Sequence, residues 1–346
     1  MKATAAILVE SKKPLVLEEI EMPALTFGQV LVKVLCTGIC GAQINEIDAV
    51  KGPDKFLPHL LGHEATAEVL AVGPCVKSVA PGNRVVMHWR KGAGIDAPAP
   101  KYASRLGPIN AGWVTTFNET AVISENRVTK VPVDFDPESG ALMGCAVTTA
   151  FGVLNNNAHL KIGESIAIFG AGGVGLNIVQ GAAMVSANPI IAIDLFDNKL
   201  ELAAKLGATH CINAARVDPE PEVLKIVGAA GVDVAVENTG NVKVIEKAYR
   251  VTGARGRTIL VGVPPKGQQA SIYTLPLHFE KILKGSHGGD CRPEFDIPNY
   301  VRLCQTGKLD LKPLVGKRYQ FEKINEAIDD MRAGRVAGRC LVHMKQ

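Results

Sequence analysis

A glycine-rich turn, Gly170-Ala171-Gly172-Gly173-Val174-Gly175, restricts this 346-residue chain to few folds. The apolar run Ser165–Phe169 before it suits a buried strand, and a helical pattern follows. In such a unit the first glycine allows a tight turn, the second lets the backbone approach a pyrophosphate, and the third lets the helix pack on the strand. The helix N-terminus offers free N–H groups to the phosphates. The turn therefore predicts a dinucleotide site, with a glycine turn in a generic α/β sheet as the alternative.

The cofactor choice depends on Asp194, which ends the next apolar run, Pro189–Asp194. A carboxylate at this place binds the hydroxyls of the adenine ribose. It would repel the 2′-phosphate of NADP, and the following residues, Leu195 to Asn198, supply no arginine to offset that repulsion. The sequence therefore favours NAD.

The predicted secondary structure changes in character after about Thr148. Before that point the sequence reads as β-rich, with strand candidates at Val30–Leu35, Thr66–Val72 and Arg84–His88. After it, apolar runs alternate with helical patterns such as Lys199–Leu206, which predicts a parallel sheet covered on both faces. Its further strand candidates are Thr209–Asn213, Val232–Glu237 and Thr258–Val263. The tail mixes a helical pattern, Ile324–Ala333, with a last strand, Arg339–Met344.

Composition excludes several classes of protein. The net charge is only +4, and no basic stripe carries interleaved aromatic residues, so we expect no nucleic-acid partner. No run of 18 apolar residues predicts a membrane span, and Ala5–Val9 is too short for a signal-peptide core. The eight cysteines are scattered, which favours free thiols or metal ligands over a disulfide framework. We therefore expect a cytoplasmic protein.

Three segments carry candidate metal ligands: Gly38-Ile39-Cys40, Gly62-His63-Glu64 and Gly144-Cys145. Their separation in the sequence does not by itself bring them together. Together with the glycine turn and the run Val261–Pro265, however, they resemble the zinc-dependent medium-chain alcohol dehydrogenases. The C-terminal Gly338-Arg339 also matches, so the resemblance covers essentially the whole chain.

The resemblance implies an α/β fold with two domains. A GroES-like, β-rich catalytic domain would comprise residues 1–147 and 288–346, and a doubly wound Rossmann domain, residues 148–287, would be inserted in it. It also implies that Cys40, His63 and Cys145 hold one catalytic zinc per chain, with a fourth position open for water or substrate. Glu64 would lie close behind the metal, and we include it among the candidate catalytic and metal-binding residues.

The resemblance further assigns the cofactor contacts. The positions matching the nicotinamide environment are Thr149, Val174, Val261, Val263 and Ser286. Those matching the adenosine environment are Asp194, Leu195, Lys199, Asn238 and Thr239, while Arg339 matches a pyrophosphate contact. Trp89 falls where the family has an aromatic wall of the substrate pocket, and a homodimer or homotetramer is expected.

The sequence departs from the family at two places. No cysteine lies between Cys75 and Cys145, so we expect no structural zinc, and the lobe must hold itself by packing. Near the first ligand, Ala42 and Asn45 replace the residues that normally remove the alcohol proton, and Gln43 replaces an aspartate beside the histidine ligand. Gly41 removes a likely basic phosphate contact. Three proton routes stay open: ordered water, a neighbouring hydroxyl of the substrate, or a histidine such as His88 or His287.

These observations together predict an NAD-linked dehydrogenase that oxidises a primary or secondary alcohol, or reduces the carbonyl. Charged residues around Trp89 favour an oxygen-rich or anionic substrate such as a polyol, sugar or cyclitol; they are His88, Arg90, Lys91 and Arg105. A solvated loop with unrelated charges is the alternative. Two other functions remain open: a zinc-free quinone or enone reductase, which would not need the three ligands, and a non-catalytic nucleotide-binding relative.

Overall fold

The computed structural model describes residues 1–345, which divide into two compact units. Unit 1 combines Met1–Cys145 with the chain from Arg292 onward, and unit 2 is the continuous segment Ala146–Cys291. Unit 1 is thus built from two separate stretches of chain. No helix within residues 1–345 is long and apolar enough to cross a membrane.

The strands, in chain order, are β1 (Lys2–Leu8), β2 (Val16–Glu21), β3 (Gln29–Ile39), β4 (His59–Leu60), β5 (Glu64–Val72), β6 (Arg84–His88), β7 (Lys101–Ser104), β8 (Gly107–Asn110), β9 (Thr120–Ser124), β10 (Val128–Val131), β11 (Ile166–Phe169), β12 (Ile190–Asp194), β13 (His210–Asn213), β14 (Val232–Glu237), β15 (Thr252–Leu260), β16 (Ile282–Gly285), β17 (Val315–Gln320) and β18 (Arg339–His343). The α-helices are α1 (Gly41–Ile47), α2 (Pro137–Leu142), α3 (Thr148–Gly152), α4 (Gly173–Met184), α5 (Asp197–Lys205), α6 (Pro219–Val227), α7 (Val242–Val251), α8 (Pro293–Gln305) and α9 (Ile324–Arg332). Two π-helical turns, Met143–Val147 and Val153–Ala158, flank α3.

Unit 1 is built from a small barrel and a larger sheet. The barrel closes in the order β1-β2-β7-β8-β4, and the sheet runs β10-β6-β5-β3-β18-β17, with β9 also paired to β3. In the long strand β3, buried Val30, Val32 and Val34 alternate with less buried residues, as expected for a strand with one face on the core. β18 pairs antiparallel with β3, so the late stretch of chain completes a sheet that the early stretch begins.

Unit 2 is a six-stranded parallel sheet in the order β13-β12-β11-β14-β15-β16. This order is that of the doubly wound dinucleotide-binding fold, in which successive strands are added first on one side of the first strand, β11, and then on the other. β11 is buried along its whole length, because a central parallel strand is covered on both faces. The carboxyl ends of β11 and β14 lie side by side, with Phe169 paired to Glu237.

The predicted strands are confirmed with one shift. We expected a strand at Thr258–Val263, whereas β15 starts at Thr252 and ends at Leu260. Its first half contains two glycines and two arginines, a composition that conceals a strand, and its pairing with β14 holds it in place. Beyond Leu260, the N–H groups of Val261 and Gly262 both donate to the Glu237 carbonyl, which turns the chain out of the sheet.

Candidate metal centre and cofactor site

The structure brings Cys40, His63 and Cys145 together in unit 1. One ligand atom from each lies within 4.8 Å of the others. Tetrahedral zinc with two sulfur ligands at about 2.3 Å would set those sulfurs about 3.8 Å apart, so the group is close to the size the metal needs. The Nε2 atom of His63 is buried and has no hydrogen-bond partner within residues 1–345.

Each of the three side chains projects from the end of an element. Cys40 follows β3 and begins α1, His63 immediately precedes β5, and Cys145 lies in the first π-helical turn. β3 and β5 pair with each other, which fixes the first two ligands side by side. Before Cys145, a Cβ on Gly144 would lie 2.2 Å from the Met87 carbonyl oxygen, so only glycine lets this turn approach the sheet.

The two cysteines differ in their affinity for protons. A hydrogen bond from the Cys145 thiol holds the pKa of Cys40 well below its usual range; burial opposes this and the positive charge of Arg339 supports it. The same bond, followed by burial, raises the pKa of Cys145. Cys40 therefore loses its proton more readily than Cys145 does. A zinc ion would hold both sulfurs as thiolates and displace their protons.

Gln43 connects the first two ligands. Its side-chain oxygen accepts the Cys40 N–H at 3.1 Å, and its amide nitrogen contacts Nδ1 of His63. A histidine that binds zinc through Nε2 carries its hydrogen on Nδ1 and needs an acceptor there. If the Gln43 amide turns over, its oxygen meets that hydrogen and orients the ring without adding a negative charge.

Glu64, the fourth candidate metal-binding residue, lies outside the group of three formed by Cys40, His63 and Cys145. Its carboxylate is fully buried and lies 3.3 Å from Nε of Arg339. Arg339 itself is buried at the start of β18 and donates to the Ile39 carbonyl oxygen. Arg339, to which the resemblance assigns a pyrophosphate contact, thus forms an ion pair with Glu64 in this structure.

The glycine turn in unit 2 has the geometry that a dinucleotide needs. Gly170 adopts a φ of +93°, which favours glycine. A Cβ on Gly175 would lie 1.9 Å from the Gly170 carbonyl oxygen, whereas a Cβ on Gly172 would meet nothing within 4 Å. The third glycine thus serves helix packing, and the second faces open space at the N-terminus of α4. Gly173 and Val174 form the first turn of that helix.

Asp194 ends β12 beside this turn. Its oxygens accept the N–H groups of Ala171 at 2.7 Å and Leu195 at 2.8 Å, and Lys199 lies 3.7 Å away. A carboxylate offers about four lone pairs, so acceptor capacity remains for a ribose hydroxyl. Leu195 itself is 57% exposed, which leaves it accessible to an adenosine.

The other assigned cofactor residues are spread over unit 2. Thr149 is buried in α3, Val263 is 55% exposed beyond β15, and Ser286 accepts the Gly289 N–H at 2.9 Å. Asn238 follows β14, and its buried side-chain amide has no hydrogen-bond partner within residues 1–345. Such an amide suits a polar ligand group, because buried amides are normally paired.

Glu237, beside these residues, was not predicted. Its carboxylate accepts the N–H groups of Thr239 at 2.6 Å and Gly240 at 3.0 Å, and the Thr239 hydroxyl also donates to it. Burial raises its pKa, and these bonds oppose the rise. It orders the loop after β14. Its position at the carboxyl end of a parallel strand was the available signal, because ligands bind at such ends.

Comparison with known proteins identifies the family. The model for zinc-binding dehydrogenases matches residues 173–306, and the model for the alcohol dehydrogenase GroES-like domain matches residues 26–133. An S-(hydroxymethyl)glutathione dehydrogenase from Photobacterium damsela subsp. piscicida is 32% identical, covering 99% of this chain and 100% of the relative. The chain belongs to the zinc-dependent medium-chain alcohol dehydrogenases.

Two solved structures support the same fold for this alcohol dehydrogenase. An alcohol dehydrogenase zinc-binding domain protein from Burkholderia ambifaria has a TM-score of 0.91 at 30% identity, covering 100% of both chains. Benzyl alcohol dehydrogenase from Acinetobacter calcoaceticus has a TM-score of 0.90 at 28% identity, also covering 100% of both chains. The predicted combination of a GroES-like domain with a Rossmann-type domain is thereby confirmed.

Two of the cations around Trp89, where the sequence favours a polar substrate, form ion pairs with acids. Trp89 lies beside His63, with its ring centroid 6.4 Å from that of His63. Lys91 pairs with Asp96 at 3.0 Å, and Arg105 pairs with Glu18. An anionic substrate would compete with these acids for the two side chains.

His88 is also unsuited to the proton route that we considered. Its Nδ1 bonds to the Arg90 carbonyl oxygen at 2.7 Å and its Nε2 to the Thr129 hydroxyl at 3.0 Å. Burial lowers the pKa of His88 to about 4. Both ring nitrogens of the neutral His88 imidazole are therefore already engaged in hydrogen bonds.

The lobe without cysteines is held by hydrogen bonds, where we expected packing alone. Glu125 accepts the N–H groups of Lys77 at 2.8 Å, Ser78 at 2.9 Å and Ile95 at 2.8 Å. Ser124 accepts the N–H of Ala97 at 2.8 Å. Two residues at the end of β9 thus tie this segment to the sheet.

A pocket of about 430 Å³ opens next to His63 within unit 1. Its polar wall includes Gln43, Glu46, His59 and His63, and no lysine or arginine lines it. Apolar residues, among them Leu60 and Trp113, form much of the rest. Glu46 and His59 were not predicted, although helical spacing places Glu46 one turn after Gln43 on the same face of α1.

Proposed function

We propose that this protein is a zinc-dependent, NAD-linked alcohol dehydrogenase. The observation that carries the proposal is the convergence of Cys40, His63 and Cys145, two thiols and one imidazole from three distant segments. Three protein ligands leave a coordination position open, as in catalytic zinc sites. A zinc-free reductase of the same fold would have no use for this group.

The residues have separable roles in this proposal. Cys40, His63 and Cys145 would hold the metal, and Gln43 would orient the imidazole. Bound zinc would supply a Lewis acid for the alcohol oxygen, and a bound nicotinamide would accept hydride. The Glu64–Arg339 pair lies behind the ligands, where its net charge of zero leaves the charge of the ligand group unchanged.

The test is metal analysis of the purified protein with turnover measured on the same sample. We expect about one zinc per chain, and we expect Cys145→Ser to lower zinc content and NADH formation together because serine is a poor zinc ligand. The control is Cys36→Ser, another buried thiol of unit 1 outside the ligand group, which should retain its zinc. A wild-type value near two zincs, or turnover that survives loss of the metal, would contradict the proposal.

We further propose NAD as the cofactor. Support comes from Asp194, whose carboxylate would repel a 2′-phosphate and whose cationic partner among residues 1–345 is Lys199 at 3.7 Å. The open space at Gly172 and the unpaired amide of Asn238 suit the diphosphate and a polar group of the cofactor. Arginine, the usual partner of that phosphate, is absent from the four residues after Asp194.

The pocket next to His63 supports a neutral substrate with a largely apolar body. Its wall contains Leu60 and Trp113 and lacks lysine and arginine. An anionic alcohol would meet a carboxylate, Glu46, and no compensating cation. We propose a neutral primary or secondary alcohol, such as an aromatic one, over a sugar acid or a glutathione adduct.

A second copy of this chain is the partner that we propose for unit 2. β16 is the last strand of its sheet, so one side of its backbone ladder faces outward. Exposed apolar residues precede it or lie on it: Tyr273 (68%), Leu275 (50%), Phe279 (66%) and Ile282 (44%). An edge strand beside apolar surface favours pairing with an identical edge. Such a contact would form a homodimer, and a homotetramer would contain it.

A further inference from the structure

The pocket beside His63 contains a glutamate, Glu46, whose carboxyl group is available to a bound molecule. Glu46 lies on α1, and its side chain makes no hydrogen bond or ion pair with any of residues 1–345. The residue is exposed to the pocket, so a small molecule can reach its carboxyl group. Burial by the surrounding pocket wall nevertheless raises the pKa of Glu46 above the ordinary carboxyl value of 4.5.

The charges around Glu46 come from four groups. His59 and His63 lower its pKa, Asp54 raises it, and Lys51 lowers it. Their effects oppose one another, and burial outweighs them. Glu46 is therefore a carboxylate at neutral pH that binds a proton more readily than an ordinary surface glutamate.

His59, on the same pocket wall, is held by two polar contacts. Its Nδ1 lies 3.0 Å from the Leu60 carbonyl oxygen, and its Nε2 lies 2.7 Å from Oδ2 of Asp54. Both ring nitrogens of His59 therefore have partners, whereas Glu46 has none within residues 1–345.

The proposed reaction needs a side chain or water that accepts the proton of the alcohol. Oxidation of an alcohol removes a hydride from carbon and a proton from oxygen, and general acid–base transfer requires an acceptor in reach directly or through one water. Ala42 offers no such group and Asn45 cannot hold a proton. His88 is excluded by its two hydrogen bonds to the Arg90 carbonyl oxygen and the Thr129 hydroxyl.

We propose that Glu46 accepts the hydroxyl proton of the alcohol. This inference rests on the proposed dehydrogenase function. In the forward direction the O–H bond breaks, its proton adds to a Glu46 carboxylate oxygen directly or through one water, and the hydride from carbon reduces NAD⁺ to NADH. The carbonyl product leaves, and the Glu46 carboxylic acid returns its proton to solvent through the open pocket.

The kinetic test compares pH profiles of zinc-loaded enzymes. In wild type we expect kcat/KM to rise with pH as Glu46 loses its proton, because the acceptor must be ionised. Glu46→Gln should lower kcat/KM at least tenfold and should remove the rise of kcat/KM with pH. General acid–base catalysis usually contributes about 10²–10⁴-fold, and the loss can be smaller here because water can replace the acceptor. Glu46→Asp should keep part of both. Glu10→Gln, an exposed glutamate of the same unit, is the matched control.

A rescue variant separates proton transfer from folding. Adding Ala42→Ser and Asn45→His to Glu46→Gln supplies a hydroxyl and an imidazole near the first ligand. Recovery of kcat/KM by tenfold would support a lost proton acceptor. A Glu46→Gln enzyme within twofold of wild type, or one uniformly slower with the wild-type pH profile, would overturn the proposal.

A second readout does not require turnover. In ¹⁵N-histidine NMR of the zinc-loaded protein, His59, assigned by the loss of its signals in His59→Gln, should show an inflection above pH 4.5 as Glu46 titrates, and Glu46→Gln should lack it. Absence of that inflection in wild type would refute the assignment to Glu46. If no alcohol were oxidised, the dehydrogenase function would fail on its own, and this titration would still decide the chemistry of Glu46.

Discussion

Asp194 shapes the loop at the end of β12 and, in the function that we propose, selects the cofactor. Its carboxylate accepts three backbone N–H groups, one from Ala171 and two from the residues that follow β12, so it holds the glycine turn against the end of β12. The lone pair that remains is the one a ribose hydroxyl would use. The 2′-phosphate of NADP in the same place would face this carboxylate, and the hydrogen bonds to the backbone prevent the carboxylate from moving away.

Asp194→Ala should therefore change both affinity and selectivity. We expect NAD to bind about tenfold or more weakly, the effect of losing one hydrogen bond to a charged group, and NADP to lose less. Binding of each cofactor by calorimetry measures the ratio. Asp197→Ala, which breaks an exposed pair with Arg216, should leave that ratio unchanged. Wild-type protein that binds NADP at least as tightly as NAD would contradict the assignment.

At the same scale, the sequence revealed residues whose neighbours along the chain explain them. Gly170, Gly172 and Gly175 could be assigned separate tasks because strand, turn and helix are contiguous. Glu46 and His59 could not be found in this way, since their importance comes from a pocket shared with His63. Nor did the sequence reveal that Lys91 and Arg105 are held by acids.

The contact between α4 and β11 depends on the third glycine of the turn. The helix starts one residue after Gly172, and Gly175 brings it against the Gly170 carbonyl oxygen. The first of these positions faces ligand space and the second faces protein. The two glycines are therefore required for different reasons, binding and packing.

Alanine at each position separates the two reasons. Gly175→Ala should destabilise unit 2 by about 1–3 kcal/mol, since its methyl group overlaps the backbone. Gly172→Ala should leave stability unchanged and weaken NAD binding at least tenfold, because its methyl group occupies the space open to a pyrophosphate. Urea unfolding and cofactor titration of both variants check this, and equal loss of stability in both would contradict it.

Elements with a strong pattern were predictable, and those held by pairing were not. The apolar runs of β11, β12 and β14 predict central strands. By contrast β15 starts within a glycine- and arginine-rich segment, where only its register against β14 makes it a strand. The π-helical turn that carries Cys145 likewise has no local signature, because close approach to β5 and β6 imposes it.

At the scale of the molecule, the alternation of strands and helices predicted a doubly wound sheet, whereas only the family resemblance predicted that both ends of the chain share one unit. Assembly remains the property furthest from the sequence. The edge position of β16 follows from sheet order, and sheet order depends on contacts between residues far apart in the chain.

Light scattering after size exclusion tests the proposed self-association. We expect twice or four times the mass of one chain for wild type. Phe279→Asp combined with Ile282→Asp should shift the protein toward the monomer, because a charge on each side of the contact opposes its burial. Ile162→Asp, at an apolar position of unit 2 that is 82% exposed, should not. A wild-type monomer would contradict the proposal.

The discontinuous construction of unit 1 also gives its assembly an order during synthesis. Unit 2 is one uninterrupted segment, so it can fold on the ribosome as soon as Cys291 has emerged. The sheet that supports the three ligands must wait for β18, which fills the place beside β3 and brings Arg339 to Glu64. Until then Cys40, His63 and Cys145 stand on an incomplete scaffold, so binding of the proposed zinc would be one of the last events in the maturation of the chain.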